Sequence, residues 1–126
     1  MKKSILIIGL ALYAVGVGAE SRWIPLGESK DRGTITLIDA NSIKRTSRQV
    51  SAWLKHLHTD NSSGVVYMTY YCATGESKAA QYATYDAQGN TTERGEEVFV
   101  TRPVIPDSVD SKVFDLVCLG KVWGKN

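Results

Sequence analysis

The sequence predicts an α+β fold, an antiparallel β-sheet of about five or six strands with a C-terminal α-helix packed on it and one disulfide. Short β-branched and aromatic runs separated by turn residues fill the chain as far as Pro103 and Pro106. Only after these prolines does the apolar period become helical. Strands and helices do not alternate, as the βαβ units of a parallel sheet would require.

The first residues predict a signal peptide and export. Lys2 and Lys3 precede an apolar run, Ile5–Val17, which Gly18 and Ala19 close with small residues. The run is too short to span a bilayer, which needs about 20 residues. We expect a signal peptide at 1–19 and a single mature domain at 20–126, with no membrane anchor after cleavage.

The protein is expected to be periplasmic or secreted, and not a lipoprotein. A bacterial lipoprotein carries a lipid-bearing cysteine directly after its signal peptide, and the first cysteine here is Cys72. Two of the 15 Lys and Arg residues lie in the signal peptide, so 13 remain to balance 13 Asp and Glu residues. Without net positive charge, nucleic acid is not an expected partner.

The strands follow in order after an apolar segment, Arg22–Leu26, and a polar loop, Gly27–Gly33. They are expected at Thr34–Asp39, Gln49–His58, Val65–Ala73, Gln81–Asp86, from Thr91 onward, and at Val98–Thr101. A turn at Ala87–Asn90 is expected to join two of them in a hairpin. The two-residue period of Val65–Ala73 places Cys72 on one face with Val66, Met68 and Tyr70.

The helix is expected to start after Asp107 as its N-cap, with Asp110 at the third helical position, and to end at Gly120. Its apolar stripe comprises Val109, Val113, Leu116 and Val117. Cys118 lies at the edge of this stripe, so we expect the last turn to pack near Cys72. A disulfide between Cys72 and Cys118 would close a 47-residue loop and contribute about 4 kcal/mol.

Several short motifs in order resemble the surface-adhesin protein E family. They are Trp23, the segment Leu37–Ile43, Trp53, Tyr71-Cys72, Tyr85-Asp86 with Gly89, Pro106-Asp107-Ser108, and Cys118. The resemblance implies a Gram-negative envelope domain, with a sheet, a C-terminal helix and a disulfide, that binds host matrix or serum proteins. Related adhesin complex proteins inhibit c-type lysozyme. The chain departs from the adhesin, a lipoprotein, in lacking the lipid-bearing cysteine.

No catalytic motif or cofactor site is found, so we expect a protein that is not an enzyme. The sequence has no G-x-S-x-G, G-x-x-x-x-G-K or G-x-G-x-x-G motif. His56 and His58 would leave the same face of a strand, as a two-histidine metal site requires. Asp60 is the nearest third ligand, although it is expected to lie in the following loop. Partly exposed strand histidines without a metal are the alternative.

Two sets of residues are expected to bind a partner. The first is aromatic and comprises Tyr67, Tyr71, Tyr82 and Tyr85. The second is basic and comprises Lys44, Arg45 and Arg48. Tyrosine is enriched at interfaces, and a basic run can meet an acidic partner. The alternatives are cross-strand packing for the tyrosines and a solvated loop for the basic run.

The first functional hypothesis is therefore a non-enzymatic, protein-binding adhesion domain of the envelope. The second is a periplasmic inhibitor of c-type lysozyme that inserts the predicted loop Gly75–Lys78 into the enzyme's cleft. The third is a small metal-binding protein that uses His56 and His58. The sequence specifies neither the partner nor the oligomeric state.

Overall fold

A computed structural model of the chain describes residues 22–96 and 100–121. The predicted signal peptide and part of the predicted strand Val98–Thr101 lie outside these residues. Within them there are eight strands, β1 Trp23–Glu28, β2 Ile35–Asp39, β3 Lys44–Arg45, β4 Gln49–Leu57, β5 Ser63–Tyr71, β6 Glu76–Tyr85, β7 Thr91–Gly95 and β8 Arg102–Pro103. They form one antiparallel sheet in the order β1-β2-β4-β5-β6-β7, with β3 beside β4 and β8 beside β6.

The α+β class is confirmed, but the strand number is higher than expected. Three of the observed strands were not predicted: β1, which begins in the apolar segment Arg22–Leu26, and β3 and β8, which have two residues each and are too short to show a period. β1 extends through Glu28 into the segment predicted as a loop. Of the predicted last strand, Val100 and Thr101 are not in a strand, and pairing begins at Arg102.

The hydrophobic core lies between one face of the sheet and a single helix, α1 (Val109–Leu119). The core side chains alternate along the central strands, as a sheet covered on one face requires. They are Ile38, Val50, Ala52, Leu54, Met68 and Tyr70 from the sheet and Val113 and Val117 from the helix. Cys72 packs against them, as its predicted position on this face requires.

The helix begins one residue later than expected. Ser108 is the N-cap, and its Oγ accepts a hydrogen bond from the backbone N–H of Ser111 at 3.0 Å. Asp107 was the wrong choice because its φ of 65° lies in the left-handed region, whereas the N-cap has extended backbone. The predicted end at Gly120 is confirmed, with a φ of 72° and a backbone N–H donated to Leu116.

A carboxylate holds the first turn of α1 on the sheet. Asp110 accepts one hydrogen bond from the Tyr70 hydroxyl at 2.7 Å and another from Ser77 Oγ at 2.8 Å. Both donors are buried, with Tyr70 2% exposed and Ser77 7% exposed. Burial, followed by the charge of Asp110, raises the pKa of Tyr70 far above its ordinary value, so the hydroxyl keeps its proton and donates.

Two further contacts hold the last turn of α1. The predicted disulfide joins Cys72 to Cys118, with 5.4 Å between their Cα atoms. Arg45 Nη1 donates a hydrogen bond to the backbone carbonyl of Val117 at 2.8 Å. A cation at the C-terminal end of a helix is favoured by the helix dipole. The helix is therefore fixed to the sheet at both ends.

Replacing both cysteines, Cys72→Ala with Cys118→Ala, is expected to lower the free energy of unfolding by about 2–5 kcal/mol. The unfolded chain would no longer be restricted by the closed loop. Urea unfolding measures this, and reduction of the unaltered protein serves as the matched control. A urea midpoint that does not move on reduction would contradict the expectation.

Replacing Asp110 by alanine is expected to destabilise the protein by about 3 kcal/mol, because two buried hydroxyls lose a charged acceptor. Tyr70→Phe removes one of the two hydrogen bonds and should cost about half as much. Asp115→Ala, the same change in the same helix, is the control and should have little effect. Thermal and urea unfolding compare the three variants, and equal losses for Asp110→Ala and Asp115→Ala would refute the role of Asp110.

Candidate functional site

The face of the sheet opposite α1 carries a row of aromatic side chains, which we call the aromatic face. Trp53 and Tyr67 are cross-strand partners on β4 and β5. Their ring centroids lie 5.4 Å apart, with the planes tilted by 60°. On β1, Trp23 lies under Lys55, whose Nζ is 5.5 Å from the ring centroid. These contacts contribute about 0.5–1.5 kcal/mol each beyond burial.

Tyr71 and Tyr85 belong to the same face, because they alternate with core residues along β5 and β6. Both side chains are half-buried. A shallow pocket of about 200 Å³ lies beside Trp53 and is bordered by Tyr85, Arg94 and Glu96. The described helix α1 packs on the other face of the sheet, and the aromatic side chains of this face are half-buried.

Trp53 is positioned by a polar turn between β2 and β3. Its backbone N–H donates to Ser42 Oγ at 2.9 Å, and the same Oγ donates to the backbone carbonyl of Asp39 at 2.9 Å. Asp39 is 1% exposed and forms an ion pair with Arg22. The hydrogen bond from Arg22 is the largest cause that lowers the pKa of Asp39, against the opposing effect of burial.

Tyr82 does not lie on the aromatic face. It pairs with Val66, a residue packed against the core, and therefore projects toward the helix side. Its ring covers Gly95, where an added Cβ would come within 2.4 Å of the ring. Its hydroxyl donates to Glu93 Oε2 at 2.8 Å. For Tyr82 the structure supports cross-strand packing.

The basic residues are separated by role. Arg45 holds the carbonyl of Val117 and is thus part of the helix attachment. Like Arg45, Lys44 and Arg48 are exposed. Lys44 lies in β3, and Arg48 lies in the turn between β3 and β4. Arg45 thus has a structural role, and binding of a partner by the three residues stays a prediction.

A second concave region, the histidine groove, lies between the sheet and the start of α1. Its volume is about 1030 Å³, and its walls include His56, His58, Thr34, Ser108 and Lys112. Burial lowers the pKa of His56, and the neighbouring His58 lowers it further, whereas Asp110 opposes the shift. The ring of His56 is therefore neutral at neutral pH.

Asp60 does not join the two histidines as a ligand. Its Oδ1 accepts hydrogen bonds from the N–H and Oγ of Ser62 at 2.9 and 2.6 Å. Across residues 22–96 and 100–121, no group of three or more His, Cys, Asp or Glu side chains is placed to hold a metal ion.

The prediction of a loop at Gly75–Lys78 is wrong, because all but Gly75 of this segment belongs to a strand. Glu76, Ser77 and Lys78 begin β6 and pair with Tyr71, Tyr70 and Thr69 of β5. The connection between the strands is a tight turn in which the N–H of Gly75 donates to Tyr71 O at 3.0 Å. Lysozyme inhibition stays a prediction, without the loop that was expected to perform it.

Sequence reasoning missed two tryptophans as site residues. Trp53 alternates with core residues of β4, so its place on the outer face could be read from the period. Trp23 gave no such signal, because Pro25 and a register irregularity between Pro25 and Gly27 interrupt β1.

Comparison with known families adds an independent observation. The family model for surface-adhesin protein E matches residues 23–119, which is more than half of the chain. The chain belongs to the surface-adhesin protein E family. No curated protein and no solved structure matches it. Membership of a surface-adhesin family supports export and protein binding in general.

The matched range of the surface-adhesin protein E domain includes every element described above, from β1 to α1. It therefore includes the aromatic face, the histidine groove and the disulfide. Among the described residues, no helix is long and apolar enough to cross a membrane.

Asp39 is expected to make the stability of the protein decrease as the pH falls into the acidic range. Its pKa is lower in the folded protein than the unfolded value of about 3.9, so its contribution is present above that pH and is lost as the pH falls. Asp39→Asn should lower stability at pH 7 and flatten its decline between about pH 5 and about pH 2. Urea unfolding at several pH values measures this.

The control is Asp31→Asn, since the Asp31 side chain is 80% exposed. It should leave the pH profile as it is. A profile for Asp39→Asn that parallels the unaltered protein would rule out this role of Asp39.

Proposed function

We propose that this protein is a non-enzymatic adhesion domain of the bacterial envelope that binds a matrix or serum protein of the host through the aromatic face. The main observation in support is that α1 covers one face of the sheet, whereas the other face carries five aromatic side chains. They are Trp23, Trp53, Tyr67, Tyr71 and Tyr85. Family membership supports the general class of function.

The composition of this face is that of a protein interface. Tryptophan, tyrosine and arginine are the residues that most often dominate binding energy, and they do so in the centre of an interface. The Trp53–Tyr67 pair lies on the central strands β4 and β5, with Lys55 nearby on β4 and both Arg94 and Glu96 at the pocket beside Trp53. Charged groups of both signs on the partner would complement these side chains.

Cross-strand packing alone does not account for the whole set of aromatic side chains on this face. Packing between neighbouring strands explains why the Trp53 and Tyr67 rings touch. It does not explain Trp23, which lies on β1, a neighbour of neither β4 nor β5, or Tyr85, which lies on β6, a neighbour of β5 alone. The aromatic side chains on this face are half-buried, so each ring keeps surface that a partner can bury. We therefore assign the row to binding.

Binding of the purified mature chain to a panel of immobilised matrix and serum proteins tests the proposal. Trp53→Ala and Tyr67→Ala are each expected to weaken binding by about 30-fold, equivalent to about 2 kcal/mol. Ile105→Ala and Leu119→Ala are controls, because these apolar side chains are 70% and 55% exposed and belong to no strand of the sheet. They should leave affinity unchanged, and circular dichroism confirms folding of each variant.

Two results would reject the proposal. One is that the unaltered protein binds no member of the panel. The other is that the Trp53 and Tyr67 variants, still folded, bind as tightly as the unaltered protein.

A further inference from the structure

We propose that His56 and His58 form a two-histidine site for a divalent copper ion in the histidine groove. The site lies on the helix side of the sheet and is thus separate from the aromatic face. It depends on a repeated hydrogen-bond arrangement, on open space beside the rings and on the chemistry of imidazole.

His56 lies in β4, and His58 is the first residue after this strand. His56 pairs with Thr36 of β2. The pairing of β4 with β5 continues past the end of β4, where the N–H of His58 donates to Ser62 O at 2.9 Å. Extended backbone therefore carries both side chains to one side. Both line the histidine groove.

Each ring contacts a threonine hydroxyl from the neighbouring part of the sheet, Thr36 inside β2 and Thr34 just before it. His56 Nδ1 lies 3.0 Å from Thr36 Oγ1, and His58 Nδ1 lies 3.2 Å from Thr34 Oγ1. Histidines that bind metals are commonly held in this way, with the second nitrogen hydrogen-bonded to an outer partner that fixes tautomer and orientation. Nε2 of each ring has no hydrogen-bond partner among the described residues.

There is space beside the rings for an ion and its remaining ligands. Gly64 stands opposite His56 on β5 and has no side chain of its own, and Thr84 Cγ2 lies 3.6 Å from where a Cβ of this residue would be. The groove of about 1030 Å³ opens at this point. Its charged walls are balanced and comprise Glu28, Asp31 and Asp107 with Lys30, Arg32 and Lys112.

Copper is the divalent ion that this donor set favours. Imidazole suits copper, nickel and zinc, and affinity along the first-row series is highest for Cu²⁺. Structural zinc sites almost always have four protein ligands, whereas no preformed group of three is present among the described residues. Two imidazoles with labile positions filled by water fit Cu²⁺ better.

Titration of the untagged mature chain with Cu²⁺ tests the site, followed by calorimetry and electron paramagnetic resonance. The whole chain contains two histidines, so nitrogen hyperfine structure from imidazole can come only from this pair. We expect one Cu²⁺ per chain with two imidazole nitrogens and weaker binding of Zn²⁺. The double variant His56→Gln/His58→Gln measures the Cu²⁺ binding that remains without the histidines, such as binding by the terminal amine.

His58→Gln, at an exposed position, is expected to weaken Cu²⁺ binding at least about tenfold and to remove one imidazole from the spectrum. Thr34→Val, which keeps the shape but removes the hydroxyl, should weaken binding about tenfold with both imidazoles retained. Without copper, both variants should melt as the unaltered protein does.

The proposal is overturned if Cu²⁺ binds the double variant as tightly as the unaltered protein, or if the spectrum shows fewer than two imidazoles. Tighter binding of Zn²⁺ than of Cu²⁺ would overturn the assignment of the metal.

Discussion

The attachment of one helix at both of its ends is the constraint on which the structure depends. Asp110 joins the first turn to Tyr70 and Ser77, and Cys118 joins the last turn to Cys72. Between these points Val113 and Val117 complete the core. A domain of about 100 residues has limited apolar surface to bury, so covalent and charged attachments contribute a large share of its stability.

Because the attachment fixes the helix to one face, the two faces of the sheet differ. One face contributes the core, and toward one end, where α1 begins, it opens into the histidine groove. The other face keeps its aromatic side chains accessible without a cost to the core, since alternate residues of the same strands supply both. The sheet thus separates a surface suited to binding protein from a groove suited to a small ligand.

Much of the fold could be predicted from sequence, because the central strands and the helix have strong periods. The disulfide between Cys72 and Cys118 could be predicted because two cysteines allow one intramolecular pairing. The end of α1 at Gly120 could be predicted because glycine readily adopts the left-handed backbone that ends a helix. The inward hydrogen bonds of Asp110 were not, since a carboxylate in a first turn is explained equally well by the helix dipole. Nor could a local pattern show that Arg45 meets Val117, which lies 72 residues away.

The candidate site was predictable only in part. The alternation of β4 and β5 placed Tyr67 correctly, but the bulge in β6 near its pairing with Tyr67 shifts the register, so Tyr82 lies on the helix side. The histidine pair was predicted from its spacing, whereas the threonines that contact the rings lie in β2 and just before it and depend on tertiary register.

Hydroxyl-radical footprinting of the protein, free and bound to a matrix or serum protein identified by the binding panel, tests the central claim most directly. The account predicts that binding protects Trp53, Tyr67 and Tyr71, while the oxidation of Ile105 and Leu119 is unchanged. Protection confined to residues away from the aromatic face, with Trp53 and Tyr67 oxidised equally in both states, would contradict it.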